Sequence, residues 1–169
     1  MPCFLLFIIL LNVGSSGGSE ESLATAYFSV PFEDNVSYTI TSEFGNRIDP
    51  ITLDKVSFHS GIDVSAPEGT SIVASADGVV YEVGYSESGL GNYVYIEHDF
   101  GSLKMYSIYG HMLDNSIVVS VGDKVNVKQK IGTIGTTGRS TGIHLHFMIA
   151  KNKISFKEAD LIDPITIFK

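Results

Sequence analysis

From Tyr27 onward the sequence is written in short runs, alternating or wholly apolar, each of strand length and each stopped by turn residues. They are Val36 to Thr41, Ser71 to Ala74, Gly78 to Val83, Tyr93 to His98, Lys104 to Tyr109, Lys124 to Val127, Ile131 to Ile134 and His144 to Ile149. Only Ser155 to Leu161 has room for a helical turn or two. Ala66-Pro67-Glu68-Gly69 reads as a type I turn, with Pro pre-setting the first central position and Gly closing it, and Gly122-Asp123 suits a tight hairpin. Seventeen glycines in 169 residues exceed the usual ~7% and fit a chain with many turns. Evenly spaced strands with this punctuation predict an all-β protein, an antiparallel sandwich or barrel. Length argues for a single core, and no linker, low-complexity stretch or repeat interrupts this region.

Charge narrows the function classes. Eleven Lys and Arg against nineteen Asp and Glu leave a net charge of −8, and the first charged residue is Glu20, so removing the residues before it changes nothing. An acidic chain repels polyphosphate backbones and anionic bilayers, which argues against nucleic-acid and peripheral membrane binding. Apolar residues at 44% and charged residues at 18% exclude disorder. The single cysteine, Cys3, precludes an internal disulfide or a thiolate metal site. Phe4 to Leu11 (FLLFIILL) is an apolar run followed by the small, polar Gly14 to Ser19. It is shorter than the ~20 residues of a membrane span and within the ~7 to 15 of a secretory signal, so we read it as an export signal.

Chemistry concentrates in three places. In Phe58-His59-Ser60-Gly61-Ile62-Asp63-Val64 an imidazole and a carboxylate are four residues apart. Gly61 and Ala66-Pro67 argue against a helix, and in an extended chain the even spacing predicts that both groups share a face and can share a ligand. In Ile143-His144-Leu145-His146-Phe147 two imidazoles face one way and three apolar side chains the other. The third place is His111 in Tyr109-Gly110-His111-Met112, at a strand end. Zinc favours imidazole nitrogen with carboxylate oxygen and keeps a fourth position for water in catalytic sites. Four of the five histidines fall in these motifs; the fifth, His98, has no partner at ligand spacing and is read as structural.

His59-x-x-x-Asp63, Tyr109-Gly110-His111 and His144-Leu145-His146, in that order, resemble the M23 family of zinc metallopeptidases, the lysostaphin-like peptidoglycan endopeptidases. The surrounding text matches too: Glu43 to Pro50, Gly61 to Thr70, Ala76 to Val80 and Gly135 to Gly142. The resemblance covers about Val30 to Pro164. It implies a two-layer antiparallel sheet, a barrel-sandwich hybrid, with a substrate groove and zinc at its floor. It also implies that His59, Asp63 and His146 are the metal ligands, while His144 and His111 are catalytic and line the open side. The glutamate base of helical zincins is absent, so an imidazole must serve. Arg47 resembles an arginine at the groove rim, for which substrate contact and a plain salt bridge are both open.

Departures from the family text spare the ligands: Ile143 replaces a proline, Met148 an acidic residue, and Lys128-Gln129-Lys130 lacks a glycine before glutamine. Three rival readings fit the sequence less well. A noncatalytic activator of another wall hydrolase would usually have lost ligands. A biotinyl or lipoyl carrier needs a lysine at a hairpin tip, and a histidine phosphotransfer domain needs neither zinc nor an export signal. The expected organisation is a signal over residues 1–17, a linker over 18–26 and the peptidase domain over 27–169. The expected protein is an exported zinc endopeptidase of the periplasm or cell envelope, or alternatively secreted, acting on peptidoglycan peptides and without a membrane span when mature.

Overall fold

The computed structural model describes residues 27–49 and 53–169, so the expected signal and linker lie outside the described residues. The strands are β1 (Thr39–Ser42), β2 (Gly45–Ile48), β3 (Val56–His59), β4 (Ile62–Ser65), β5 (Ser71–Val73), β6 (Gly78–Ser86), β7 (Gly91–Asp99), β8 (Lys104–Met112), β9 (Lys124–Val125), β10 (Lys130–Thr133), β11 (Leu145–Lys151) and β12 (Leu161–Ile162). The helical structure among the described residues is two 3-10 turns, Glu158–Asp160 and Pro164–Ile167, and none is long and apolar enough to cross a membrane. The expected all-β, antiparallel architecture is the one observed.

The main sheet has the order β1-β4-β11-β8-β7-β6-β9, with β12 also pairing β11; β5 pairs β10, and β2 pairs β3, as separate two-stranded sheets. Side-chain alternation sorts the long central strands onto two buried faces. Leu145, Phe147 and Ile149 of β11, Met105 and Tyr109 of β8, and Val94 and Ile96 of β7 enter the main core with Phe28, Phe32, Ile72 and Ile131. Met148 and Ala150, Ile108 and Tyr106, and Tyr95 point the other way into a second cluster, against which Phe44 and Phe58 pack. The second cluster explains why β8 and β11 are buried almost throughout rather than on alternate residues.

β2, β3 and β4 have no counterpart among the runs read from sequence. They are only four residues each, and they exist because each finds a partner: β2 with β3, and β4 between β1 and β11. The turn read at Ala66–Gly69 lies one residue later: Thr70 N–H donates to the Pro67 carbonyl at 3.1 Å. Gly69 then sits at φ 84°, as the third residue of a type II turn requires. Gly122-Asp123 closes a turn from Ser120 and leads into β9, without joining two strands as a hairpin.

His98 is fully buried on the main-core face. Its Nδ1 is 2.8 Å from the Asp77 carbonyl and its Nε2 2.7 Å from Ser107 Oγ. Burial pushes its pKa down to about 4, so the ring is neutral within a polar chain that continues to Tyr109.

Candidate metal centre

The expectation that His59 and Asp63 share a face of one extended strand is not what brings them together. His59 ends β3 and Asp63 lies in β4, and these strands belong to different sheets. The chain bends between them at Ser60-Gly61, and the turn aims both side chains inward. A Cβ on Gly61 would lie 2.2 Å from the Phe147 carbonyl oxygen, so glycine allows the bend to press against β11.

Register completes the cluster. β4 pairs β11 with Asp63 opposite His146, and Asp63 Oδ1 is 2.8 Å from His146 Nδ1 and 3.1 Å from His59 Nε2. The two ring nitrogens are 3.1 Å apart. All three residues are buried, and the three atoms lie within 4.8 Å of one another. His59 Nδ1 lies 2.7 Å from the Glu43 carbonyl and must donate its proton there. A neutral His59 therefore points a lone pair at a carboxylate oxygen and at a second imidazole. Three electron-rich atoms converge with at most one ring proton among them, from His146, and a cation satisfies them all. The donor set, two imidazole nitrogens and one carboxylate oxygen, fits zinc.

Arg47, on β2, lies beside the same carboxylate: its Nη1 is 3.2 Å from Asp63 Oδ2 and donates to Ser42 Oγ at 2.7 Å. Between the readings left open for Arg47, the salt bridge is the contact the structure shows. Burial by itself would raise the Asp63 carboxyl, but the adjoining His146 and His59 rings outweigh it and hold the group well below the usual carboxylate range.

His144 and His111 stand beside the triad. His144 immediately precedes β11, paired with Gly135 through an isolated bridge, and its Nε2 is 3.6 Å from Asp63 Oδ1. His144 and His146 thus face Asp63 together, as the alternation predicts. The ring centroids of His111 and His144 are 4.6 Å apart. Both rings are anchored through Nδ1, to the Thr137 carbonyl for His111 and to the Gly142 carbonyl for His144, each at 2.8 Å. In the neutral forms each Nε2 then carries a lone pair. Burial, reinforced by the neighbouring His144, pushes His111 down to about 4. Its backbone is left-handed at φ 59°, a conformation that costs a non-glycine residue about 1–3 kcal/mol and clusters at functional sites.

All five residues line one open cavity of about 300 Å³, together with Arg47, Asp49, Arg139 and Ser140. The Asp49–Arg139 pair escapes a reading by motif because ninety residues separate its members, one in Glu43 to Pro50 and the other in Gly135 to Gly142: Arg139 Nη2 donates to Asp49 Oδ1 at 3.0 Å and Oδ2 at 2.9 Å.

The peptidase family M23 model matches residues 57–158. An uncharacterized metalloprotease of Buchnera aphidicola subsp. Baizongia pistaciae (strain Bp) is 40% identical over 133 residues, covering 78% of this chain and 33% of its own. The peptidoglycan DD-endopeptidase ShyC of Vibrio cholerae is 40% identical over 116 residues, covering 68% of this chain and 25% of its own. The chain thus spans a third or less of the length of these relatives. Among solved structures, the catalytic domain of the antimicrobial peptidase lysostaphin from Staphylococcus simulans superposes with a TM-score of 0.65 at 30% identity, covering 78% of this chain and 91% of that one.

Proposed function

The chain belongs to peptidase family M23, and from that premise we propose that it is a zinc-dependent endopeptidase hydrolysing peptide bonds in the stem or cross-bridge of bacterial peptidoglycan. The observation that carries the proposal is the convergence of His59, Asp63 and His146 in one open cavity with His111 and His144 beside them. The names of the relatives, a peptidoglycan DD-endopeptidase and lysostaphin among them, supply the substrate class.

His59 Nε2, Asp63 Oδ1 and His146 Nδ1 hold the metal. Zinc supplies Lewis acidity there, lowering the pKa of water and polarising a carbonyl. His111 and His144 do the proton work. With each Nδ1 hydrogen given to a backbone carbonyl, neither neutral ring has an N–H to offer the substrate. Each must first accept a proton at Nε2 and only then becomes a donor, to the oxyanion or to the leaving amine. Water that attacks the peptide carbonyl gives up that proton, and the departing nitrogen receives it back as the C–N bond breaks.

The test is incubation of purified sacculi with zinc-reconstituted wild-type protein and with Asp63→Ala, followed by mass spectrometry of the released muropeptides. New amino termini in the peptide moiety, produced by wild type alone, are expected. Glycan cleavage without peptide cleavage, or no product at all, would overturn the assignment. We propose further that the protein acts outside the cytoplasm, in the periplasm or cell envelope, supported by the FLLFIILL run and by the substrate class. Cell fractionation should find it there with residues 1–17 removed.

A further inference from the structure

We propose that Arg139 is a specificity residue of the cleft that binds a carboxylate of the substrate peptide, with Asp49 holding the guanidinium in position. The inference rests on the endopeptidase reading and deepens it. Arg47 and Arg139 are the two cationic side chains lining the cavity. Arg47 is committed to Asp63 and Ser42. The Arg139 side chain is 46% exposed and spends one nitrogen, Nη2, on both oxygens of Asp49, while its Nε and Nη1 have no hydrogen bond among the described residues. A guanidinium is always charged and holds its N–H donors rigidly in one plane. With Nη2 shared by both Asp49 oxygens, the Nε and Nη1 hydrogens each remain able to donate one charge-assisted bond to a further carboxylate.

The side chain is also preorganised. Asp49 is itself buried, and the Arg139 backbone N–H donates to the Gly89 carbonyl at 2.9 Å. Little freedom remains to be lost when an anion docks. The site borders the proton-transfer residues, because the next residue, Ser140, has its Oγ 3.4 Å from His144 Nδ1. Of the two arginines in the cavity, Arg139 is the one not paired with the carboxylate of the metal-ligand cluster, so it is the side chain placed to attract an incoming peptide carboxylate in a protein of net charge −8. Holding the loop against the β2–β3 hairpin would use the same ion pair but would not distinguish a charged substrate from a neutral one.

The experiment compares kcat/KM on a cross-linked muropeptide in two forms, the free acid and the fully amidated compound, for zinc-loaded wild type and Arg139→Gln. Wild type is expected to prefer the free acid by about tenfold or more, the scale of one charge-assisted pair, and R139Q to bring the ratio close to one. Arg139→Lys, which keeps the charge and loses the planar, Asp49-fixed donors, should give an intermediate ratio and serves if R139Q does not fold. No preference in wild type, or an unchanged ratio in the variants, overturns the assignment of Arg139 and leaves the endopeptidase reading standing. Failure of wild type to cleave either compound overturns that reading and the inference with it.

Discussion

Replacing Gly61 by Ala tests whether the contact between the β3–β4 bend and β11 holds the metal-ligand cluster together. The new Cβ would stand 2.2 Å from the Phe147 carbonyl oxygen and 2.7 Å from Met148 Cγ, where real Cβ contacts essentially never fall below 3.0 Å. Met148 can swing aside, but the Phe147 carbonyl belongs to the backbone of a central strand, so the bend must retreat by most of an ångström. That motion pulls on the β4–β11 ladder, in which Ile62 faces Phe147 and Asp63 faces His146. Overpacking of a rigid site costs about 1–3 kcal/mol, and a stretched ladder hydrogen bond adds about 1 kcal/mol. A total loss of roughly 2–4 kcal/mol is therefore expected. Since Asp63 Oδ1 and His146 Nδ1 are only 2.8 Å apart, the same shift spreads the donors and weakens zinc binding, by about tenfold for each 1.4 kcal/mol forfeited. Urea unfolding of zinc-free protein measures the first effect and competition with a chelator of known affinity the second. A variant within about 0.5 kcal/mol of wild type, the usual range for surface changes, and with unaltered zinc affinity would refute the close-contact argument.

Three further outcomes follow from the same geometry. Asp63→Ala should lose zinc on dialysis while His111→Ala retains it, by elemental analysis, because Asp63 contributes a converging oxygen and His111 lies outside the triad. His111→Ala and His144→Ala should fold and bind zinc yet lose turnover by about 10²-fold or more, the scale of general acid–base catalysis, in a muropeptide cleavage assay. His98 is neutral in the fold, with its pKa pushed from 6.5 to about 4 by burial, so the unfolded chain binds the extra proton first. Stability present above pH 6.5 should be lost as pH falls toward 4, by up to about 3 kcal/mol, and urea unfolding of His98→Gln should show a shallower dependence over that window.

Reading the chain residue by residue reached the architecture and most of the site for a common reason: a strand's alternation is local. Leu145, Phe147 and Ile149 face the main core while His146 and Met148 face the other side, and that division is set once the segment is extended. The same rule placed His144 and His146 toward one ligand. It failed where the chain is not one strand. His59 and Asp63 meet across a bend between two sheets, a step that depends on β11 receiving Gly61 at close range. The short strands β2, β3 and β4 span only four residues each, too few for an alternation to stand out, and form only when partners are present. His111 and His98 both occupy the strand pair β7–β8, yet one enters the cavity and the other a buried polar chain. The turn of the backbone into a left-handed conformation at His111 is invisible in residue order. Asp49 and Arg139 show the limit most plainly: each lies in a loop, and only the packing of the β2–β3 hairpin beside the loop before β11 brings their charges to 2.9 Å. Facing is decided by bonds between neighbours in the chain, whereas meeting is decided by which distant segments can be packed together at once.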